Sequence, residues 1–518
     1  MRVVDKASGV RCFQTMVARR DGTRLNTFVY LPGSGGPRYP VILHRTPYGI
    51  TAPDARDVTD CTKGWLPSPT EPWRGAILRG WRRIVAHGYV AVYQDTRGRY
   101  GSEGEDRVYG DDAEDGYDTL EWIASQPWTN QMVGMSGSSA GATTTFAAAS
   151  QRHPSLRAFF IQAGGSSIYD DVVYEGQSIE MERLWLWVAR NIPGLSLSHR
   201  EAVLRRLGLS AAQLDAAATA AAQRYARLEA ACRTHPPFIG SADWLRLPLT
   251  GYPDFATWQP YLDEIITHPA PDPFRARHNF RRTIDIPGFH VTTWFDIFQT
   301  SVVAAFNDIQ ARVGHQILWI GPNDHPFVYH ANFWPRDPYF EWFDHWLKGE
   351  RTGIMDRPAV CYSPRAWVED REGYVPHDWR YTERWPPPGV TLHVRSSCRD
   401  TDFIAKLIEV EPDGRAMLLM DGVVRAMYRD GATEPQYLAP DGVYRLTINL
   451  ADIHHTFRAG NRIQVDVTSS NFPRRTRNTN SGNPVLAHDT EAAIRVATNT
   501  VHHADLTPSF VELPVVHP

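Results

Sequence analysis

The pentapeptide Gly137–Gly141 has the residue types and spacing that nucleophilic chemistry requires. It follows the pattern G-x-S-x-G, in which a serine stands on a sharp turn between a strand and a helix. An apolar run over residues 131–135 predicts the strand, and an Ala- and Thr-rich run over 142–150 predicts the helix. Glycines on both sides allow backbone segments to approach closely. We therefore predict that Ser139 is a catalytic nucleophile.

A serine nucleophile needs a base that takes its proton and an acid that orients the base. Asp296 follows a predicted strand over 289–294, and His325 lies in the loop 321–325 after a predicted strand over 316–320. A loop aspartate often caps a helix, and a loop histidine is often a solvated surface residue. The order Ser, Asp, His is nevertheless that of α/β-hydrolases, and it favours a triad of Ser139, Asp296 and His325.

Acyl transfer also needs donors for the developing oxyanion. The backbone N–H of Ala140, the residue after the nucleophile, is the expected first donor. The second donor is less obvious from the residues alone. Tyr48 follows a short predicted strand over 41–43, on a loop that commonly supplies it, and its hydroxyl is a candidate.

Alternating strands and helices over the first part of the chain predict a parallel sheet covered on both faces. Strands become scarce from about residue 167, and an Ala-rich segment over 197–232 indicates helix. Antiparallel strand patterns dominate beyond about residue 353. We therefore predict a hydrolase domain over 1–166 and 282–352, a helical cap over 167–281, and a β-sandwich over 353–518.

Composition and net charge limit the classes of partner that we expect for this chain. The chain has 518 residues and a net charge of −4, which argues against nucleic acid and anionic membranes as general partners. No apolar run is long enough to span a bilayer, and the N-terminus lacks a signal-peptide core. Five scattered cysteines without a CxxC pattern predict reduced thiols and a cytoplasmic location. Adjacent histidine pairs late in the chain lack metal-ligand spacing, so we expect neither metal nor cofactor.

The chain resembles the cocaine esterase, α-amino-acid ester hydrolase and X-prolyl dipeptidyl-peptidase family of serine hydrolases (CocE/NonD type). The matching stretches are Arg45–Tyr48, Gln94–Gly104, Trp128–Asn130 with the elbow, Trp294–Asp296, Gly321–Pro322 with His325, Phe343–Gly349, Asn471–Arg474, Arg477–Asn478 and Ser481–Gly482. The resemblance implies an α/β-hydrolase fold, an inserted helical cap and a C-terminal jelly roll. It also implies that the Tyr48 side chain is the second oxyanion donor.

Two positions depart from the family pattern. Ala140 stands where the family often has Tyr, which removes bulk but keeps the backbone donor. Asn323 stands where the family has Trp, which is expected to enlarge or rehydrate the rim of the site.

The substrate side is less defined. Family members that take α-amino esters hold the ammonium with carboxylates, some of them two and three residues after the triad acid. Phe298 and Gln299 occupy those positions here, and neither is charged. By resemblance, Phe298, Trp185 and Trp187 are candidates to hold an aromatic acyl group, although the two tryptophans fit core packing equally well. Asp170 or Asp171 is a candidate to supply one negative charge to an ammonium group.

The function predicted from sequence is the hydrolysis of small carboxylic esters, or alternatively amides, through an acyl-enzyme with a hydrophobic or aromatic acyl group. An X-prolyl peptidase and a β-lactam or amide acylase are the rival enzymes. A jelly-roll ligand-binding protein with an idle hydrolase fold is the rival of another class. The sequence leaves the physiological substrate and any homo-oligomer open.

Overall fold

The computed structural model describes residues 2–5, 9–33, 38–52, 57–64, 80–233, 242–325, 338–364, 366–368, 380–382 and 389–515. The chain divides into two compact units. The first unit contains Met1–Ser167, Gly194–Gly208 and Asn279–Arg384. The second unit contains Ile168–Pro193, Leu209–His278 and Trp385–Pro518.

The strands and the α-helices are numbered in chain order. The strands are β1 (Arg2–Asp5), β2 (Val10–Ala18), β3 (Arg24–Leu31), β4 (Tyr39–Thr46), β5 (Val90–Asp95), β6 (Thr129–Ser138), β7 (Leu156–Gln162), β8 (Tyr174–Glu175), β9 (Ser178–Ile179), β10 (Gly288–Phe295), β11 (Gln316–Asp324), β12 (Val360–Tyr362), β13 (Arg380–Thr382), β14 (Gly389–Ser396), β15 (Asp402–Val410), β16 (Ala416–Arg425), β17 (Tyr444–Asn449), β18 (Arg462–Thr468), β19 (Asn499–His502) and β20 (Phe510–Glu512). The helices are α1 (Trp81–Ala86), α2 (Asp112–Ala124), α3 (Ala140–Ala149), α4 (Met181–Asn191), α5 (Leu197–Leu207), α6 (Ala211–Arg233), α7 (Ala242–Leu245), α8 (Pro253–Trp258), α9 (Tyr261–Ile265), α10 (Pro273–Ala276), α11 (Gln299–Val313) and α12 (Pro338–Phe343).

The first unit is built on a mixed sheet of eleven strands in the order β1-β2-β3-β5-β4-β6-β7-β10-β11-β12-β13. The strands from β5 to β12 pair in parallel, whereas β1–β3 and β13 add antiparallel edges. All residues of β5 are buried, as expected for a parallel strand covered on both faces. The predicted α/β-hydrolase architecture is confirmed, and its parallel strands end at one common edge of the sheet.

Local sequence accounts for two features that support this edge. The hairpin β2–β3 turns at Gly22, whose φ of 85° suits glycine. All ten residues of α3 are buried between α2 and the sheet, and α2 packs closely against this helix. A Cβ on Gly116 of α2 would lie 2.4 Å from the Cβ of Ala148, so glycine permits that approach.

The predicted helical segment over 197–232 is two helices. Gly208 caps α5 with a left-handed φ of 64°, and α6 begins three residues later. Contacts place Gly194–Gly208 in the first unit. The sheet of the first unit also continues beyond residue 352 through β12 and β13. The exact domain boundaries therefore stay a prediction.

The second unit contains α4, α6–α10, the short antiparallel pair β8–β9 and two larger antiparallel sheets. One sheet has β14 paired with β17, β19 and β20, and the other has β15 between β16 and β18. Apolar side chains from both sheets share one core, among them Leu392, Leu407 and Leu446. The C-terminal region is thus rich in antiparallel strands, as predicted, whereas its assignment as a jelly roll stays a prediction. Among the described residues, no helix has the length and apolar character needed to cross a membrane.

Candidate active site

Four parallel strands deliver the predicted site residues to one edge of the sheet. Ser139 directly follows β6, Asp296 follows β10, and His325 follows β11. Tyr48 lies two residues after β4. The carboxyl ends of parallel strands meet at the same edge, which is where α/β folds bind ligands. The topology thus brings together residues that are far apart in the sequence.

Ser139 occupies a strained turn. Its φ of 53° and ψ of −125° are sparsely populated for a residue with a side chain. The turn is held by the Ser139 N–H, which donates to the Gln162 carbonyl at 2.9 Å. A Cβ on Gly137 would lie 2.0 Å from the Gly141 carbonyl oxygen, so the first glycine of the motif is required sterically. This is the strand–turn–helix conformation that the pentapeptide predicts.

Asp296 and His325 form a directional pair. His325 Nδ1 lies 2.7 Å from Asp296 Oδ1, and the aspartate side chain is fully buried while the imidazole is 19% exposed. Asp296 Oδ1 also accepts the Phe298 N–H at 3.0 Å, and Oδ2 accepts the Thr292 hydroxyl at 2.7 Å. These bonds fix the carboxylate, and an ionised carboxylate at Nδ1 favours the tautomer that carries its proton there. The sequence does not mark the Thr292 hydroxyl or the Phe298 N–H as partners of Asp296, because a strand threonine and a backbone amide have no distinguishing pattern.

Tyr48 lies close to Ser139. Its hydroxyl oxygen lies 3.3 Å from Ser139 Oγ, which is longer than an ideal O–H···O bond of about 2.8 Å. Ala140 is the first residue of α3, and the first N–H groups of a helix have no acceptor within the helix. Two donors therefore flank Ser139.

Two contacts hold the end of β4 and the Tyr48 loop in place. Thr144 of α3 donates its hydroxyl to the Arg45 carbonyl at 2.9 Å. Asp95, at the end of β5, accepts the Ile50 N–H at 3.0 Å through Oδ1. Its other oxygen accepts the Asn26 side-chain amide at 2.9 Å and the Gly101 N–H at 3.3 Å. Asp95 thus anchors the loop two residues beyond Tyr48.

The Asp95 carboxyl is completely buried, and this governs its protonation. Burial raises its pKa to about 7, although the hydrogen bonds from Asn26, Gly101 and Ile50 favour the carboxylate. The anchor of the Tyr48 loop therefore changes charge near neutral pH.

The segment before His325 differs from its prediction as a loop. It continues β11 as far as Asp324. Asn323 takes a left-handed φ of 65°, which asparagine tolerates, and it is completely buried. Its side chain donates to the Val368 carbonyl at 2.8 Å and accepts the Val368 N–H at 2.6 Å. Asn323 is therefore a clamp between two backbone segments. Its burial contradicts the expected rehydration at this position, whereas the expected enlargement of the rim stays a prediction.

The predicted substrate-binding residues fall in different places. Phe298 lies beside His325, with ring centroids 5.8 Å apart in a T-shaped arrangement. Trp185 and Trp187 are on α4 of the second unit, where Trp185 is buried against Tyr252 and Phe255. That packing is the structural role that the sequence left open, so a substrate contact for either tryptophan stays a prediction.

The acidic candidates for an ammonium site are partly committed to other contacts. Asp170 forms an ion pair with Arg275 at 2.7 Å. Asp171 accepts a hydrogen bond from Arg183 at 2.8 Å through its backbone carbonyl, which does not involve its carboxylate, so an ammonium contact there stays a prediction. Across the part of the chain that the structure describes, no group of three His, Cys, Asp or Glu side chains is arranged to hold a metal ion.

Two family models match the chain. The family model for the X-Pro dipeptidyl-peptidase (S15 family) matches residues 21–326, which is more than half of the chain. A second model, for the X-Pro dipeptidyl-peptidase C-terminal non-catalytic domain, matches residues 387–512. The first match contains all four strand-end residues described above.

Individual proteins show similarity along the whole chain. The cocaine esterase of Rhodococcus sp. (strain MB1 Bresler) is 27% identical, over 97% of this chain and 98% of that protein. The crystal structure of an aminopeptidase from a marine sediment Thaumarchaeota archaeon superposes with a TM-score of 0.69 at 18% identity, over 99% and 97% of the two chains. An α-amino acid ester hydrolase gives the same TM-score, identity and coverage. These structures show a shared fold.

Proposed function

We propose that this chain, which belongs to the X-Pro dipeptidyl-peptidase (S15) family of serine hydrolases, hydrolyses small carboxylic esters through an acyl-enzyme on Ser139. The observation that carries the proposal is the convergence on one sheet edge of a strained serine, a tyrosine hydroxyl 3.3 Å from its oxygen, and a buried Asp–His pair at 2.7 Å. Each group has a distinct role in acyl transfer.

In the first half-reaction, Ser139 Oγ attacks the carbonyl carbon while His325 Nε2 takes the hydroxyl proton. The Tyr48 O–H and the Ala140 N–H donate to the oxyanion of the tetrahedral intermediate. As the intermediate collapses, the ester C–O bond breaks and His325 returns the proton to the departing alcohol. Asp296 stabilises the transient imidazolium through Nδ1.

In the second half-reaction, water replaces the alcohol. His325 takes a proton from water as the water oxygen attacks the acyl carbon. Collapse of the second tetrahedral intermediate releases the carboxylic acid and returns the proton to Ser139. No group other than the residues of this chain and water is required for either step.

The acyl side is proposed to favour neutral, hydrophobic groups. Phe298 is an apolar ring next to His325, and each Å² of apolar surface that an acyl chain buries against it contributes roughly 25 cal/mol. An ammonium group would lose hydration in a closed site and would need fixed carboxylates to offset that loss. Gln299 is uncharged, and Asp170 is already paired with Arg275.

A fluorophosphonate probe tests the chemistry directly. We expect covalent labelling of Ser139, located by peptide mass spectrometry, with no labelling of Ser139→Ala. A ligand-binding protein with an idle hydrolase fold would remain unlabelled.

Matched esters test the acyl preference. Phenylacetyl and phenylglycyl esters of the same alcohol should differ in kcat/KM, with the phenylacetyl ester preferred below the pKa of the phenylglycyl amine. A preference for the protonated phenylglycyl ester would overturn the hydrophobic assignment.

The family description makes peptidase activity the second candidate. Both reactions use the same acyl-enzyme, so the triad does not separate them. A comparison of p-nitrophenyl esters with X-Pro p-nitroanilides decides between them. Turnover of the anilides with kcat/KM above that of the esters would favour the peptidase.

A further inference from the structure

Two cysteines in the first unit bring their sulfur atoms together. Cys12 lies on β2, and Cys61 begins a short helical turn over Cys61–Lys63. Their Sγ atoms are 2.9 Å apart, and the residues are 0% and 4% exposed. This separation exceeds the roughly 2.05 Å length of a disulfide bond by less than about 1 Å.

The backbone holds both cysteines in this position. Cys12 pairs across the β2–β3 ladder with Tyr30. The Tyr30 hydroxyl in turn donates to the Cys61 carbonyl at 2.8 Å. A Cβ on Gly64 would lie 1.6 Å from that hydroxyl oxygen, so glycine at 64 admits the contact. The cross-strand neighbour of one cysteine therefore fixes the position of the other.

We propose that Cys12 and Cys61 are a redox-sensitive pair that a small-molecule disulfide, such as oxidised glutathione, converts into an intramolecular disulfide. The thiolate of one cysteine attacks the reagent and forms a mixed disulfide, with release of one glutathione thiol. The second protein thiolate then attacks the protein sulfur and releases the other glutathione thiol. The two protein thiols lose two electrons and two protons, which reduce one oxidised glutathione to two thiols.

Cys61 is the expected point of entry. It is the more exposed of the two residues, and its segment lies at the surface, since Asp57, Thr59 and Lys63 are exposed. The same segment is bound to the backbone after Tyr48, because the Ala52 N–H donates to the Lys63 carbonyl at 2.8 Å. A cross-link between residues 49 positions apart would therefore restrain the stretch of chain that carries Tyr48.

Thiol counting on the full-length protein tests the proposal. The protein is incubated with reduced or oxidised glutathione, quenched with N-ethylmaleimide in denaturant, and weighed intact. We expect labels on all five cysteines in the reduced sample. The oxidised sample should lose two labels and yield a Cys12–Cys61 cross-linked peptide. Retention of every label, or a different cross-linked pair, would overturn the proposal.

Serine variants make the assignment specific. Cys361 of β12 is equally buried, at 1% exposure, and serves as the matched control. Oxidised Cys361→Ser should still lose two labels, whereas oxidised Cys61→Ser should lose none. Loss of two labels in Cys61→Ser would show that other thiols pair.

The thermal stability of the wild-type protein gives a second test, which does not depend on whether the serine variants fold. Oxidation of the wild-type protein should raise its Tm by several degrees, and dithiothreitol should reverse the rise. A Tm that is equal in the two redox states would contradict the restraint proposed for residues 12–61.

Discussion

The two compact units each contain a buried carboxylate bonded to a histidine at the same distance. In the first unit, Asp296 bonds to His325 at 2.7 Å. In the second unit, Glu409 of β15 bonds to His455 at 2.7 Å. The imidazoles are also similarly buried, at 19% and 15% side-chain exposure. Distance and burial therefore do not distinguish the pairs.

Their surroundings differ in chemistry. Glu409 also accepts the Arg458 N–H and the Asn461 side-chain amide. Burial raises the pKa of Glu409, but the hydrogen bonds from Asn461, Arg458 and His455 together lower it by more. The pKa of Glu409 therefore lies below its ordinary value. This carboxylate closes a loop onto a strand. Asp296 instead orients an imidazole at the sheet edge that carries a strained serine and a tyrosine hydroxyl. The two pairs therefore differ in what lies beside the imidazole, and the catalytic role proposed above applies only to the pair beside Ser139.

The nucleophile gives the largest expected effect. Ser139→Ala should lower kcat by roughly 10⁶-fold, as loss of a triad nucleophile does, while circular dichroism and Tm stay near wild type. The neighbouring Ser138 donates its hydroxyl to Gln162 at 2.9 Å and is the matched control. Ser138→Ala should retain activity, and the reverse pattern would transfer the nucleophile role to Ser138.

Substitution of Asp296 should lower activity, whereas substitution of Glu409 should not. Asp296→Asn should lower kcat by about 10⁴-fold, because an amide at Nδ1 favours the wrong imidazole tautomer. Glu409→Gln should leave kcat/KM unchanged and lower the free energy of unfolding, since it weakens hydrogen bonds to a carboxylate. Steady-state kinetics and urea unfolding of both variants check this. Equal losses of kcat in the two variants would contradict a catalytic role that belongs to Asp296 and not to Glu409.

The oxyanion donor gives an intermediate effect. Tyr48→Phe should lower kcat by about 10²–10³-fold with little change in KM, because the lost bond acts mainly in the transition state. An unchanged kcat would mean that backbone N–H groups alone bind the oxyanion.

The anchor of the Tyr48 loop gives the smallest effect. Asp95→Asn should lower kcat roughly tenfold through displacement of Tyr48. In the double variant with Tyr48→Phe, this loss should disappear. A tenfold loss that persists without the tyrosine hydroxyl would mean that Asp95 acts elsewhere.

Asp95 also predicts a pH dependence of stability. Its folded pKa of about 7 lies above that of an unfolded aspartate, so the folded state binds more protons and loses stability as pH rises through 7. Between pH 6 and 8 the loss from this group is about 1 kcal/mol. Urea unfolding at the two pH values should show a smaller loss in Asp95→Asn. Equal losses in the two proteins would contradict the raised pKa.

Periodicity and motif order were enough to predict the sheet edge and its occupants. The elbow pentapeptide predicted the turn at Ser139, and strand ends predicted Asp296 and His325. The predicted strand over 289–294 lies within β10. These features depend on local sequence patterns and on the rule that the carboxyl ends of parallel strands meet at one edge of the sheet. They can therefore be predicted from the sequence.

Long-range polar contacts were not predictable in the same way. Asn323 reads as a loop residue, yet it pairs with Val368, 45 positions away. The continuation of the sheet through β12 depends on a parallel pairing with β11 that no local pattern encodes. The hairpin β15–β16 has no clear strand pattern in the sequence, because its apolar residues do not alternate strictly with polar ones.

The positive φ of Ser139 has a consequence for protein engineering. Glycine adopts this backbone conformation without the cost of roughly 1–3 kcal/mol that a side chain incurs. Ser139→Gly should therefore tolerate heat better than the active enzyme while it hydrolyses nothing. A library of variants selected only for thermal tolerance would enrich that inactive sequence, so any such selection on this scaffold needs turnover as a second criterion.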